Sequence, residues 1–291
     1  MTLPRIWKSR GGRSFGTTPF LVAGIVNLTP DSFSDGGSYQ DYEEAMGRCR
    51  SVVSEGATII DLGGESTRPG SVPVGPDEEL ARLMPVLVSC VTMRDAAQGG
   101  EFHVSVDTWR SSVARIVLDA GADIINDISG ASFDPAMADV VGSYKPGYVL
   151  MHTPASPQTM QECTDYTIDG SVVEAVLRFF EKSMTKLVKA GLPEENIILD
   201  PGIGFGKTAE QNLELLRSTE TLHSLGRPLY VGVSRKRMFA TLFGLGLAER
   251  DAATQVVTAL LAAKGVYAHR VHDVAGAATA LKLVFLTGAS G

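Results

Sequence analysis

The stretch HVSVDTWRSSVARIVLDAGADIINDISG, residues 103–130, contains the unit that decides the fold. A short apolar run at 103–106 is followed by an amphipathic segment at 111–120 and a second apolar run at 124–127. A Gly-Ala pair at 121–122 lies where a helix would end and the next strand would begin. The stretch therefore predicts a β-α-β unit with two parallel strands.

The same unit recurs along the whole chain. The predicted strands are residues 20–26, 58–62, 103–106, 124–127, 148–151, 197–199, 229–233 and 268–271. The predicted helices are residues 42–55, 77–92, 111–120, 171–189, 210–222, 251–264 and 277–286. Eight such units in series predict a parallel sheet, and eight strands close a (β/α)8 TIM barrel.

We therefore expect one α/β TIM-barrel domain over residues 1–291, with residues 1–19 capping the bottom of the barrel. A doubly wound open sheet is the alternative. That fold would need a glycine-rich phosphate-binding turn after its first strand, and the sequence has none there.

The composition excludes several classes of protein. The 33 acidic and 26 basic residues give a formal net charge of −7, which argues against general binding to nucleic acid or anionic membranes. The three cysteines have no CxxC spacing, so neither a disulfide scaffold nor a structural zinc site is expected. The sequence contains neither an apolar run of roughly 18 residues nor the apolar core of a secretion signal. We expect a cytoplasmic globular protein.

Polar residues follow every predicted strand, at the barrel end where TIM-barrel enzymes carry their reacting groups. They are Asn27, Asp61, Asp107, Asn126 with Asp127, His152, Asp200, Ser234 to Lys236, and Arg270 with His272. His103 and His269 lie inside predicted strands and are interpreted as barrel-wall residues. For Asp61, two roles stay open: holding its own loop by hydrogen bonds, or contacting a substrate.

The side chains at this end fall into two chemical groups. The cationic donors, suited to a phosphate or diphosphate, are Lys236, Arg270, His272 and, in the loop after the second strand, Arg68. The carboxylates of Asp107 and Asp200 and the amide of Asn126 suit the donor-rich edge of a flat nitrogen heterocycle. We therefore predict a pocket with a heterocycle at depth and an anion at the mouth.

Two long loops border this pocket. The segment NLTPDSFSDGG at 27–37 and the loop within 61–75 are longer than ordinary β-α connections, and we interpret them as lids that close over a ligand. The segment PGIGFGKT at 201–208 lacks the first glycine of a phosphate-binding P-loop, so we interpret it as a flexible loop that brings Phe205 to the site.

A family resemblance follows from a series of motifs in order. They are NLTPDSFSDGG at 27–37, DLGGESTRPG at 61–70, SVDT at 105–108, INDISG at 125–130, MH at 151–152, SPQTMQ at 156–161, DPGIGFGK at 200–207, GVSRK at 232–236 and RVHDV at 270–274. Together they resemble the dihydropteroate synthases, the pterin-binding barrel enzymes that sulfonamides inhibit. The chain departs from the family pattern at 153–155 and at Arg237, where serine is frequent near the aminobenzoate carboxylate.

The resemblance implies a transferase of folate biosynthesis. It would condense 6-hydroxymethyl-7,8-dihydropterin diphosphate with 4-aminobenzoate, giving 7,8-dihydropteroate and diphosphate. It also implies a homodimer. The pterin-binding set would be Asp107, Asn126, Asp200 and Lys236. The diphosphate set would be Asn27, Thr67, Arg68, Arg270 and His272, with Mg²⁺ at Asn27. The aminobenzoate pocket would be formed by Phe33, Thr67, Pro69 and Phe205. Catalysis would rest on Lys236, Arg68, Asp107 and Asp200.

Three rival functions stay open at this point. A methyltetrahydrofolate:corrinoid methyltransferase shares the pterin barrel, but the STRPG and RVH segments argue against it because that reaction needs no diphosphate site. A Schiff-base aldolase would use Lys236 as a covalent nucleophile. A pterin-binding paralogue without activity is the third, although the matched polar positions are all intact.

Overall fold

The computed structural model describes residues 6–9, 12–15, 19–29, 39–68, 70–97 and 102–289. A short antiparallel hairpin, β1 (Lys8–Ser9) and β2 (Arg13–Ser14), precedes the barrel. The barrel strands are β3 (Leu21–Asn27), β4 (Ile59–Gly63), β5 (His103–Asp107), β6 (Ile124–Asp127), β7 (Gly147–Met151), β8 (Ile197–Asp200), β9 (Tyr230–Val231) and β10 (Ala268–Val271).

These eight strands form one parallel sheet in the order β8-β7-β6-β5-β4-β3-β10-β9. A parallel bridge between Leu199 and Leu229 joins the two ends of this order, so the sheet curls into a nearly closed barrel. The TIM-barrel prediction is confirmed, and the open-sheet alternative is wrong.

Ten α-helices are found in the described part of the chain. They are α1 (Tyr39–Ser54), α2 (Pro76–Ala96), α3 (Ser111–Asp119), α4 (Met137–Tyr144), α5 (Val172–Lys189), α6 (Ala209–Arg217), α7 (Thr219–His223), α8 (Arg237–Phe243), α9 (Arg250–Ala263) and α10 (Val274–Leu286). None of the described helices is both long and apolar enough to cross a membrane.

The sequence did not predict two of these helices and merged two others. Helix α4 has eight residues, most of them buried, and only Asp139 and Ser143 are exposed, so its polar face is too narrow to signal a helix in a sequence. Helix α8 has seven residues, begins directly after Lys236 and is too short to show a helical period in the sequence. The predicted helix at 210–222 is two helices, because the Ser218 N–H closes α6 on Glu214 and Leu215.

Aromatic side chains from the start of the chain close the bottom of the barrel. The rings of Trp7 and Phe15 lie 4.2 Å apart and pack with the lower barrel residues in one buried cluster. The Trp7 Nε1–H donates to the Asn196 carbonyl at 2.8 Å, and the Tyr267 hydroxyl donates to the Phe15 carbonyl at 2.9 Å. The described residues of 1–19 therefore confirm the predicted cap.

The strand register brings the polar residues to one level at the opposite end. Asn27 pairs with Gly63, Gly63 with Asp107, and Asp107 with Asn126. Asp200 reaches the same end through its pairing with Met151. Paired residues of a parallel sheet point to the same face, so these side chains converge on one site.

Candidate active site

Asp61 is the centre of a buried hydrogen-bond network at this end of the barrel. Its side chain is fully buried and accepts hydrogen bonds from Ser105 Oγ at 2.5 Å, Asn126 Nδ2 at 3.2 Å and Arg270 Nε at 2.6 Å. All three partners lie on other strands. Of the two roles left open for Asp61, holding its own loop is not what these bonds do, because they position Ser105, Asn126 and Arg270 on other strands.

Arg270 joins Asp61 to Asp107. Its Nη2 donates to Asp107 Oδ2 at 2.9 Å, so one guanidinium bridges carboxylates from β4 and β5. Burial raises the pKa of Asp107 to about 7, although the Arg270 charge acts in the opposite direction. The pKa of Arg270 is raised by the two carboxylates despite its burial, so its charge is permanent.

Asn126 presents an acceptor that the described residues leave unused. Its Nδ2 is occupied by Asp61, while its buried Oδ1 has no hydrogen-bond partner in the part of the chain that the structure describes. A buried amide oxygen without a partner is costly. The amide is therefore held in one orientation with its oxygen available to a ligand donor.

Asp200 and Lys236 form the second charged pair of the pocket. Asp200 Oδ1 accepts from the Gly202 N–H at 2.8 Å, and Lys236 Nζ lies 4.3 Å from the centre of the Phe205 ring. Burial raises the pKa of Asp200 to about 6, and burial lowers the pKa of Lys236 to about 8. The nearby opposite charge limits both shifts, so at neutral pH the pair consists mainly of a carboxylate and an ammonium.

Lys207 is a buried cation beside the site that the sequence analysis did not include among the site residues. Its buried Nζ lies 3.0 Å from the Gly202 carbonyl, 2.9 Å from the Phe205 carbonyl and 3.0 Å from His152 Nδ1. These bonds hold the loop at 201–208, which carries Phe205, in one conformation. The sequence had predicted that this loop is flexible. A lysine in a glycine-rich loop is normally expected to be exposed to solvent. The only signal in the sequence for a buried Lys207 is that it directly follows the motif DPGIGFG at 200–206.

His272 was grouped with the cationic donors, and its surroundings favour the neutral imidazole. Its Nδ1 lies 2.9 Å from Ser234 Oγ, and its backbone N–H donates to the same oxygen at 3.1 Å. Burial, together with the nearby charges of Arg270, Arg235 and Lys236, lowers the pKa of His272 to about 3. The imidazole is therefore neutral and offers an anion one N–H group rather than a full charge.

The loop between β4 and α2 is held by a buried arginine. Arg110 Nη1 donates to Glu65 at 2.5 Å and to the buried Glu79, and its Nη2 donates to the Val74 carbonyl at 2.7 Å. Both ends of the loop are thus attached to the barrel. Arg68, near its middle, is exposed and forms no ion pair among the described residues.

The remaining predicted site residues differ in burial, and two of them lie outside the described part of the chain. Asn27 is half-buried at the end of β3, and Thr67 is half-buried next to Arg68. Arg237 is exposed as the first residue of α8. Phe33 and Pro69 lie outside the described residues, as does most of the first predicted lid. The structure therefore brings together Asp107, Asn126, Asp200, Lys236, Arg270 and His272.

Comparison with known proteins gives one consistent family. Residues 23–272 match the family model described as pterin binding enzyme. The dihydropteroate synthase of Synechocystis sp. is 43% identical over 263 residues, which cover 90% of this chain and 88% of the relative.

Two solved structures have the same fold over nearly their full length. The Yersinia pestis dihydropteroate synthase in a sulfonamide drug complex superposes with a TM-score of 0.86 at 34% identity, covering 97% of this chain and 98% of that one. The Xanthomonas albilineans dihydropteroate synthase with 4-aminobenzoic acid has a TM-score of 0.86 at 35% identity, covering 100% of both chains.

Proposed function

This chain belongs to the pterin-binding enzyme family, and we propose how its own residues carry out the family's reaction. It catalyses dihydropteroate synthesis, a pterinylmethyl transfer of folate biosynthesis. The substrates are 6-hydroxymethyl-7,8-dihydropterin diphosphate and 4-aminobenzoate, and the products are 7,8-dihydropteroate and diphosphate. We place the whole reaction in the single barrel domain, in the cytoplasm, where the three unpaired cysteines would stay reduced.

Asp107, Asn126, Asp200 and Lys236 are the proposed pterin-binding residues. The observation that carries this assignment is the buried Asn126 Oδ1, which has no partner among the described residues and lies at the same barrel level as the Asp107 carboxylate. Three acceptor side chains and one ammonium match a heterocycle with several N–H donors and a carbonyl acceptor. The Phe205 ring beside Lys236 would form one wall of the neighbouring aminobenzoate pocket, together with Thr67, Phe33 and Pro69.

The diphosphate would lie on the side of Arg270 and His272, with Asn27, Thr67 and Arg68 completing its site. Arg270 contributes a permanent charge, and the neutral His272 contributes an N–H group. Arg68 is exposed on its loop, so its charge is accessible to an anion at the pocket mouth.

Mg²⁺ is proposed as the cofactor, bound at Asn27. The described residues contain no group of three or more His, Cys, Asp or Glu side chains that could hold a metal by themselves. Asn27 Oδ1 lies 3.7 Å from where a Cβ at Gly63 would stand, so this glycine leaves space beside the oxygen. One protein oxygen with diphosphate oxygens and water is a usual donor set for Mg²⁺. When bound, the ion would neutralise charge on the diphosphate.

The chain's own residues would act mainly by electrostatic stabilisation. The bond between the pterin methylene carbon and the diphosphate oxygen breaks, and both electrons leave with the diphosphate. Arg270, Arg68 and Lys236 stabilise that departing charge. The amine nitrogen of 4-aminobenzoate forms the new bond to the methylene carbon and then loses a proton to water. Asp107 and Asp200 hold the pterin ring while it shares the positive charge that develops on the methylene carbon.

Purified protein tested for dihydropteroate formation, with and without Mg²⁺, checks this assignment. The aldolase alternative is tested separately because the lowered pKa of Lys236 would favour a nucleophilic amine. Borohydride reduction in the presence of simple carbonyl compounds should leave the mass of the Lys236 peptide unchanged. A stable mass increase at Lys236 would support the aldolase instead.

We also propose that the enzyme is a homodimer that sulfonamides inhibit at the aminobenzoate pocket, as the sulfonamide complex of the Yersinia pestis relative suggests. The adjacent helices α9 and α10 expose Val256, Leu260, Leu283, Phe285 and Leu286. An apolar surface of this kind is typical of a protein–protein interface. Leu260→Lys should reduce the mass measured by light scattering to that of one chain, whereas Ile168→Lys, at a more exposed position outside α9 and α10, should not.

A further inference from the structure

Arg235 has an unusual backbone conformation next to the proposed pterin-binding lysine. Its φ is +57°, and only two other described non-glycine residues, Ala131 and Lys145, have a positive φ. A side chain with a Cβ disfavours this left-handed region, so the surrounding structure must hold the residue there.

The start of α9 provides that restraint through four hydrogen bonds. The guanidinium of Arg235 donates from Nε and Nη2 to the two carboxylate oxygens of Asp251, each at 2.8 Å. Its backbone N–H donates to Thr254 Oγ1 at 3.2 Å, and its carbonyl accepts from Arg250 Nη1 at 3.3 Å. Side chain, amide and carbonyl of one residue are thus attached to the same helix.

The left-handed turn separates the two neighbours of Arg235. Ser234 bonds to His272 on the diphosphate side, while Lys236 lies over Phe205 and interacts with Asp200 on the pterin side. In an extended strand, residues two apart would point to the same face. The conformation of Arg235 therefore directs Ser234 toward the diphosphate side and Lys236 toward the pterin side of the site.

We propose that Arg235, held by Asp251, is a positioning residue that aligns Lys236 and the Ser234–His272 pair on the dihydropterin diphosphate. It touches no substrate itself. This inference rests on the proposed assignment of the two halves of the site, and it adds a role for a residue outside both substrate-binding sets.

The ion pair itself should contribute little to folding. The side chains of Arg235 and Asp251 keep 37% and 29% of their exposure, and both border an open cavity of about 520 Å³ that His272 also lines. Ion pairs accessible to water are weak and screened by salt. Substitution of Asp251 should therefore leave a folded protein, so that positioning and stability can be measured separately.

Four variants test the proposal. Asp251→Asn removes the charge of the partner, and Asp251→Glu keeps it. Arg235→Gly accepts the positive φ without strain but loses the guanidinium. Asp169→Asn is the matched control, because the Asp169–Arg178 pair is exposed, has a 2.7 Å separation and lies outside the site.

We expect Asp251→Asn and Arg235→Gly to raise the KM for dihydropterin diphosphate about three- to fivefold, equivalent to about 0.6–1 kcal/mol. In both variants the KM for 4-aminobenzoate and the Tm should change little. Asp251→Glu, which keeps the charge, should show a smaller increase in the KM for dihydropterin diphosphate than Asp251→Asn. Asp169→Asn should behave as wild type. Calorimetry with 6-hydroxymethylpterin and with inorganic diphosphate gives the same comparison without turnover, so a failure of the proposed reaction would not hide the result. Unchanged affinities in Asp251→Asn and Arg235→Gly, or a loss of affinity that only follows a loss of Tm, would overturn the proposal.

Discussion

The two ends of the barrel, although formed by the same strands, differ in how well their buried polar groups are paired. At the lower end, Trp7, Phe15 and Tyr267 are buried, and the polar atoms of Trp7 and Tyr267 have hydrogen-bond partners. At the upper end, the ion pair with Arg270 only partly offsets the burial of the Asp107 carboxylate. The lower end favours folding, whereas the upper end keeps desolvated groups ready for a ligand.

Removal of an aromatic from the lower end should have the largest effect on stability. Trp7→Ala deletes a fully buried side chain and the hydrogen bond to Asn196, and the expected loss is about 3–5 kcal/mol in free energy of unfolding. Chemical denaturation measures this change. Ile168→Ala, at a position 99% exposed, is the control and should be neutral. A Trp7→Ala protein with a raised KM but normal stability would contradict the separation of the two ends.

Removal of a charge from the upper end should reduce ligand affinity while leaving stability almost unchanged. Asp200→Asn keeps an oxygen for the Gly202 N–H but loses the charge-assisted bonds to the pterin, each worth about 1.5–3 kcal/mol. We expect pterin affinity to fall at least about tenfold by calorimetry, with little loss of Tm because burial disfavours the charged carboxylate. The exposed Asp139→Asn serves as the control. A smaller loss of affinity would mean that Asp200 does not anchor the pterin.

The buried charges of the upper end should also set the pH range of catalysis. Pterin binding requires the carboxylates of Asp107 and Asp200 and the Lys236 ammonium, whose pKa values are about 7, about 6 and about 8. The kcat/KM for dihydropterin diphosphate should therefore be highest between about pH 7, set by Asp107, and about pH 8, set by Lys236, and decrease on both sides. Lys236→Arg, whose guanidinium stays charged, should extend the alkaline side if it binds substrate. An alkaline limit that stays at the same pH in this variant would assign it to another group.

The contributions of Asp200 and Lys236 to the free energy of unfolding change with pH in opposite directions. The pKa of Asp200 is raised by folding, so its contribution favours the native state at low pH and is lost as pH rises through about 6. The pKa of Lys236 is lowered, so its contribution is present at high pH and is lost as pH falls through about 8. Both groups therefore disfavour folding near neutral pH, where the enzyme needs them charged.

The sequence predicted the barrel and much of the site for one physical reason. Asp107, Asn126 and Asp200 directly follow apolar runs, and parallel strands carry their ends to the same edge. It could not predict which of these groups pair. Asp61 and Arg270 are 209 residues apart, and only the curvature of the closed sheet places them 2.6 Å apart.

Two other features depend on burial that a sequence does not display. His272 can carry a charge by residue type, but burial, together with the surrounding positive charges, lowers its pKa and favours the neutral form. Lys207 is a surface residue by residue type, yet backbone carbonyls and His152 occupy its ammonium in the interior. In both cases the environment, rather than the residue pattern, determines the function.

The smallest expected effect concerns Tyr230, which lies between the two ends. Its hydroxyl is buried and has no hydrogen-bond partner among the described residues, although its ring packs with the lower cluster. Tyr148 is equally buried, but its hydroxyl donates to Asp127 Oδ2 at 2.6 Å. Removal of a bonded hydroxyl leaves a buried acceptor unsatisfied, whereas removal of an unbonded one relieves a desolvation cost. Tyr148→Phe should therefore lower the free energy of unfolding by about 1–3 kcal/mol, and Tyr230→Phe should leave it unchanged or raise it slightly. Equal losses in the two variants would show that the Tyr230 hydroxyl has a partner in solution and belongs to the polar end of the barrel.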